Sequence, residues 1–360
     1  MGQLGVVLES GSVPQRNLSQ MKTTGHVIFI TAMAVIGGFL FGYDCGVVSG
    51  AMLIIKTQFK LNDQWQELIV SSTVIAAAVF AALGGYLNDK FGRKKTILLS
   101  SIMFAIGAAV MGLANSKEML LVGRIIVGAG AGTSSCVIPA YIAEVTPPTT
   151  RGRMLVTFQL MITLGFWVAS LSNAAFSYIK DDDLNWRLML GVAGVPPLFQ
   201  LLGFSWLPES PRWLALHSYK EKAEAVLADI YGGDEDAKRW AQADVQQMIK
   251  DQEKTQSEIE AKGGSSILST MIKTHSTRKA LVIGCMLQMF QQLCGINTVM
   301  YYSASIIQSG GIRSRTMSIW MTSVTSGVNF FCTFIGIYLI ERLGRRRLIL
   351  YSTIGMFQYS

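Results

Sequence analysis

Charge is what this chain has least of. Charged residues make up 15% of it, against about 25% in soluble domains, and several stretches of twenty residues or more hold one charge or none. That scarcity excludes an ordinary soluble globular protein. Histidine is scarcer still: His26, His217 and His275 are the three in the chain, and they sit at the edges of apolar runs or in a polar loop. No G-x-S-x-G, no phosphate-binding P-loop and no metal-ligand cluster accompanies them, so nothing assembles a catalytic centre. The five cysteines are an odd number with no C-x-x-C spacing, and they read as small core residues. "VGAGAG" (127–132) mimics a nucleotide loop but follows no strand; it reads as helix packing. Residues 1–25 are polar and lack the apolar centre of a signal peptide. The sequon Asn17-Leu18-Ser19 would be silent on a cytosolic N-terminus.

What is present is hydrophobic sequence. Half the residues are apolar and the mean hydropathy is +0.38. A helix needs about 20 mostly apolar residues to cross a bilayer. Eight full spans fit, over 26–54, 67–88, 96–114, 119–142, 153–177, 186–206, 279–308 and 315–340, and a ninth begins near 347. The expected fold is an all-α polytopic membrane protein. The net charge of +8 then belongs to loops and does not signal nucleic acid. "DKFGRKK" after the second span, Arg151 and Arg153 after the fourth, and "ERLGRRR" after the eighth carry the positive charge, whereas "KDDDLN" (180–185) is acidic. By the positive-inside rule the basic loops and the N-terminus face the cytosol.

The two basic loops also match each other position by position, Asp89 to Lys95 against Glu341 to Arg347. Repeated halves are a common build for secondary transporters. The organisation expected is a cytosolic tail (1–25), a six-span bundle (26–206), a charged helical linker (207–277) and an incomplete second bundle (278–360). The linker, broken by Gly-Gly at 232–233 and 263–264, predicts two or three short helices, either solvated or bracing a gate.

Asp44 stands in "GGFLFGYDCGVVSG" (37–50), the one charge in its span. An acid at mid-membrane costs about 2.5–3.5 kcal/mol on insertion scales and normally faces a cavity or a partner. Gly38, Gly42, Gly46 and Gly50 recur every fourth residue and form one close-packing face. Asp44 lies about 200° around the helix from Gly42, away from that face. Its natural partner is Arg124 in "LLVGRIIVGAGAG", on a row with Gly128, Gly132 and Cys136. Losing that contact would favour protonation of the acid, which makes a proton switch; a purely structural ion pair is the alternative. The second constellation is "LQMFQQLCGINTVMYY" (287–302). Gln288, Gln291 and Gln292 share a face, Gly295 loosens the helix, and Asn297, Tyr301 and Tyr302 follow. Amides and phenols offer the donors and acceptors that a neutral polyhydroxy ligand requires; hydrogen bonding between packed spans is the alternative. Gln159 and Thr163 in the fifth span and Asn329 in the eighth add the same chemistry.

With these residues in hand, the chain resembles the sugar porters of the major facilitator superfamily. "DKFGRKK" with "ERLGRRR", "YIAEVTPPTTRG" (141–152), "LPESPRW" (207–213) and "FQQLCGINTVMYY" resemble that family's signatures. "GYDCGVVSGAMLIIK" and "NWRLMLGVAGVPPLFQLLGF" bring it nearest to proton–myo-inositol cotransporters. The resemblance implies twelve spans, alternating access, and a proton as coupling ion with no other cofactor. It places proton coupling on Asp44 and Arg124 and ligand contact on Gln159, Gln291, Gln292, Asn297 and Asn329. The cytosolic gate would use Arg93, Glu144, Arg151, Glu209, Glu341 and Arg345, with Asp89 and Arg212 in the same motifs. Phe166 stands where many members carry a second fifth-span Gln, and Cys294 where Ser is usual. The tenth to twelfth spans are absent, so the chain reads as truncated after the start of the ninth. The function expected is proton-coupled symport of a polyol or sugar, foremost myo-inositol, across the plasma membrane. A hexose carrier, or a truncated chain that does not transport, are the alternatives. Oligomeric state is not set by the sequence.

Overall fold

A computed structural model describes residues 24–261, 275–312, 314–344 and 346–351. Helices and short turns make up these residues, with no strand among them. Eight helical segments are long and apolar enough to cross a membrane. The first five are single helices: α1 (Gly25–Gln58), α2 (Asp63–Phe91), α3 (Arg93–Gly112), α4 (Lys117–Val145) and α5 (Arg151–Phe176). The sixth span is interrupted. It runs as α6 (Asp182–Gly191), a 3₁₀ turn (Val192–Gly194) and α7 (Val195–Ser205); Pro196 and Pro197 supply no N–H to carry the ladder through. It starts before the predicted residue 186 because Asp181 caps it, accepting from the Asp183 N–H. Asn62 and Ser116 cap α2 and α4 in the same way.

The linker holds α8 (Pro211–Leu216), α9 (Lys220–Tyr231) and α10 (Glu235–Ala261). The expectation of short helices fails for α10, which is 27 residues long. Gly232 and Gly233 break the chain as predicted, at φ of +117° and +80°, where only glycine is free of strain. The linker has its own apolar core of Leu214, Ala215, Ala223, Leu227, Ala241 and Val245. It is also fastened to the bundle: Thr24 donates to the Ile230 carbonyl, Tyr141 to that of Pro208 and Trp213 to that of Asp89. Over its described residues, 207–261, it is therefore a folded element and not a solvated connection.

Beyond it come α11 (His275–Leu293), α12 (Ile296–Ser309) and α13 (Arg315–Leu343), and residues 346–351 are again helical. The basic-loop repeat is visible in the backbone. Gly92 ends α2 at φ +91° and Gly344 ends α13 at φ +78°, so both copies turn the chain at the same position of the motif. The tail with its sequon, the Gly263–Gly264 break, Arg345 and residues 352–360 lie outside the described residues, as does the side chain of Glu341.

Glycine positions the first bundle. Gly38, Gly42, Gly46 and Gly50 pack onto Phe158, Ile162, Phe166 and Asn173 of α5. Gly128 and Gly132 of α4 pack onto Thr73 and Ala77 of α2. Two buried clusters fill the layers between: Val27, Ile30, Ile138 and Tyr141 at the end carrying the basic loops, and Val47, Ile54, Met111 and Trp186 toward the far end. The cysteines depart from expectation. Cys45 is buried and Cys136 half-buried, but Cys285, Cys294 and Cys332 are exposed, because α11 and α13 meet the first bundle on one side at most. A contrast follows. A methyl at Gly42 would overlap the Ile162 carbonyl, whereas one at Gly85 meets nothing within 4 Å. Gly42→Ala should destabilise by about 1–3 kcal/mol and Gly85→Ala should be neutral or mildly stabilising, read as melting temperatures in detergent.

Candidate functional site

With its glycines against α5, α1 turns Asp44 toward α4. There the Arg124 guanidinium donates to Asp44 Oδ1 at 2.6 Å. The two residues are 3% and 2% exposed, so the pair is sealed from solvent. Arg124 is oriented by further bonds to α2: its Nε donates to the Ile69 carbonyl at 3.4 Å, and the Thr73 hydroxyl donates to the Arg124 carbonyl at 3.1 Å. Asp44 Oδ2 and Arg124 Nη2 meet no partner among the described residues. The pair is thus held by one strong contact, with one proton-accepting oxygen uncommitted. A charge pair this buried is sustained only by mutual contact.

The seventh span breaks where the sequence places Gly295. α11 stops at Leu293, Gly295 takes φ +73°, and α12 restarts at Ile296. Across the break Asn297 Nδ2 donates to Gln292 Oε1 at 2.7 Å. α12 then packs on α1: Cys45 Sγ lies 3.0 Å from the Tyr301 hydroxyl, and the Ser49 and Ser303 hydroxyls are 2.9 Å apart. A cavity of about 450 Å³ opens between α1, α2 and the broken span, with Asp44, Cys45, Thr73, Gln292, Asn297 and Tyr301 in its wall. That size suits a small organic ligand, and its polar wall suits a hydroxylated one.

Five of the eight predicted proton and ligand residues therefore meet: Asp44 on Arg124, with Gln292, Asn297 and Tyr301 around the same cavity. The other three are not in its wall. Gln291 is exposed on α11, Gln159 is exposed on α5, and Asn329 is half-buried on α13. Gln291 follows from helix geometry, since it lies about 100° around from Gln292. Phe166 is packed with Cys45 and Met300, so it fills space where a second glutamine was expected. Tyr302, named with Tyr301 in the sequence, is in this wall too, whereas sequence reasoning missed Cys45, Thr73, Ser71 and Thr298. Adjacency to Asp44 could have flagged Cys45; the others carry no signal apart from the fold.

At the basic end Arg93 Nη2 donates to Glu144 Oε1 at 3.0 Å, its Nε lies 3.0 Å from Glu144 Oε2 in the same ion pair, and the guanidinium reaches Asp89 at 3.6 Å. Glu209 accepts from the Arg93 and Lys94 N–H groups at 2.8 and 3.0 Å, a carboxylate on the positive N-terminus of α3. The Ser210 hydroxyl joins it by donating to Glu144. Arg151 shares a second cavity of about 260 Å³ with Glu144, and Arg212 is exposed. The expected cluster thus forms around Asp89, Arg93, Glu144 and Glu209, all within the first bundle and the linker.

These features define the class first. The fold is that of the major facilitator transporters. The structure of the MFS proton:xylose symporter XylE bound to 6-bromo-6-deoxy-D-glucose matches with a TM-score of 0.75 at 28% identity, covering 89% of this chain and 70% of that one. A partially occluded inward open conformation of the xylose transporter XylE from E. coli matches with a TM-score of 0.72 at 27% identity, covering 89% and 74%. The sugar (and other) transporter family model matches residues 30–359, and the chain belongs to that family. The proton myo-inositol cotransporter of Homo sapiens is 46% identical over 341 residues, 95% of this chain and 51% of that protein. The Caenorhabditis elegans proton myo-inositol cotransporter hmit-1.2 is 41% identical over 97% of this chain and 57% of its own length. The chain spans about half the length of these curated relatives.

The buried pair makes its own prediction. Arg124→Leu leaves Asp44 uncompensated and should cost about 3–5 kcal/mol. Adding Asp44→Asn removes the orphan charge and should recover a good part of that loss, read as melting temperatures of the two variants in detergent.

Proposed function

We propose that the chain carries the proton site and part of the ligand site of a proton-coupled symporter for a neutral polyol or sugar, with myo-inositol the first candidate. The observation that carries this reading is the shared cavity: Asp44, which has one carboxylate oxygen without a partner among the described residues, belongs to the same wall as Gln292, Asn297 and Tyr301. Asp44 takes a proton and loosens its hold on Arg124. The ligand binds against the amides of the broken seventh span, and the two move together as the halves rock. Each proton carried inward gains about 2.3 kcal/mol per 100 mV of membrane potential. In this reading Gln159, Gln291 and Asn329 join the ligand once the halves close. The Asp89–Arg93–Glu144–Glu209 cluster, with Arg151, Arg212, Glu341 and Arg345, belongs to the gate at the basic end.

The orientation follows from the basic loops: that end faces the cytosol and the far end faces outside, in the plasma membrane. Myo-inositol ranks above hexoses because the relatives at 46% and 41% identity are named as its proton cotransporters. Glucose is the competing substrate, since a glucose transporter of Staphylococcus epidermidis is 35% identical over 93% of this chain.

The test is uptake of labelled myo-inositol and glucose into vesicles at acidic and neutral external pH. Uptake of myo-inositol should exceed that of glucose and rise on the acid side. Asp44→Asn should abolish accumulation against a gradient while sparing exchange. Concentrative uptake by that variant would overturn the assignment of the proton site.

A further inference from the structure

The polar contacts between the first bundle and the seventh and eighth spans, among the described residues, all lie from the level of Asp44 toward the far end. Most are buried and neutral. Ser49 pairs with Ser303, Ser170 with Ser326 at 2.9 Å, and Ser323 donates to the Ser170 carbonyl at 2.8 Å. Short hydroxyl contacts of this kind let helices approach closely and exchange readily for water when the faces part. At the rim the contact changes character. The Arg315 guanidinium engages both carboxylate oxygens of Asp182, the one ion pair that crosses between the halves among the described residues. Just over a turn along α13, the Trp320 indole donates to the Tyr178 hydroxyl at 3.1 Å.

The placement of these charges points to the pair. Arg315 is the first residue of α13, where the positive end of the helix dipole disfavours a cation. Asp182 opens α6, where the same dipole favours a carboxylate and holds it in position. The arginine is therefore misplaced for its own helix and well placed for the neighbouring one. We propose that Arg315 and Asp182 form an electrostatic latch that holds the far end of the cavity shut, and that this end opens by breaking it. The latch rests on the alternating-access reading above. Its charge makes far-end opening sensitive to external salt, which the neutral serine seam is not.

The test uses Cys45, which is buried behind this seam and 3.0 Å from Tyr301. In the full chain with Cys136, Cys285, Cys294 and Cys332 replaced by Ser, a membrane-impermeant thiol reagent is applied to each face in turn. From the face bearing Asp182, Arg315→Gln and Asp182→Asn should each label Cys45 about fivefold faster than the parent, the scale of one partly exposed ion pair. Combining Asp182→Arg with Arg315→Asp should return the slow rate. Added salt should speed the parent and leave the single variants unchanged. Equal rates in parent and Arg315→Gln, a reversed pair that labels as fast as either single change, or no labelling of any variant from that face would each overturn the latch. Labelling from the opposite face confirms that the thiol is reactive. Uptake measured in parallel tests the transport reading by itself, and the labelling ratios stand whichever way it falls.

Discussion

The structure turns on the approach of α1 to α5. Four glycines spaced one turn apart let the two backbones meet, and at Gly42 there is no room for even a methyl group beside the Ile162 carbonyl. That contact sets the rotation of α1 about its axis. Rotation decides where Asp44 points, and Asp44 has one acceptable direction: toward Arg124. Within a bilayer no water is at hand to rescue a misdirected carboxylate. A backbone packing rule and an electrostatic requirement are therefore satisfied by the same few degrees of helix rotation.

From that pair outward, each contact has a polar and a mechanical side. Thr73 and Ile69 fix Arg124 from α2, so the pair ties three helices of one bundle. Cys45, next to Asp44, touches Tyr301 of the broken seventh span, which carries the link into the second half. At the opposite end Glu209 leaves the bundle with the chain yet folds back to cap α3. The linker is thereby anchored beside Arg93 and Glu144 before its three helices begin. The buried pair and the cavity wall are joined through residues that touch, and the linker is joined to the basic-end cluster in the same way.

The fold was legible because bilayer thickness imposes a length that apolar runs reveal, and because motif glycines mark forced turns: Gly92, Gly232, Gly295 and Gly344 all adopt positive φ. Asp44 and Arg124 could be paired from sequence because each was the lone charge of its polarity in an apolar span. What sequence could not supply was azimuth and company. Gln291 and Gln292 are neighbours with identical chemistry, and helix rotation alone separates the cavity wall from an exposed flank. The serine contacts between halves were invisible because serine at a helix surface is common and says nothing of its partner. The length of α10 was missed because a charged, helix-favouring stretch signals helix without signalling where it ends.

The bond between Asn297 and Gln292 bears on thermodynamics as well as geometry. Each amide already spends a donor or acceptor on the other across the Gly295 break. A ligand hydroxyl that recruits either one trades an existing hydrogen bond for a new one, and the net gain is a small difference between similar terms. Such a wall selects by how many hydroxyls it can match at once and grips none of them tightly. On the proposed transport reading, shallow binding of that kind suits a site that has to give up its cargo on every cycle: the depth of the well, as much as its shape, sets how fast it can be emptied.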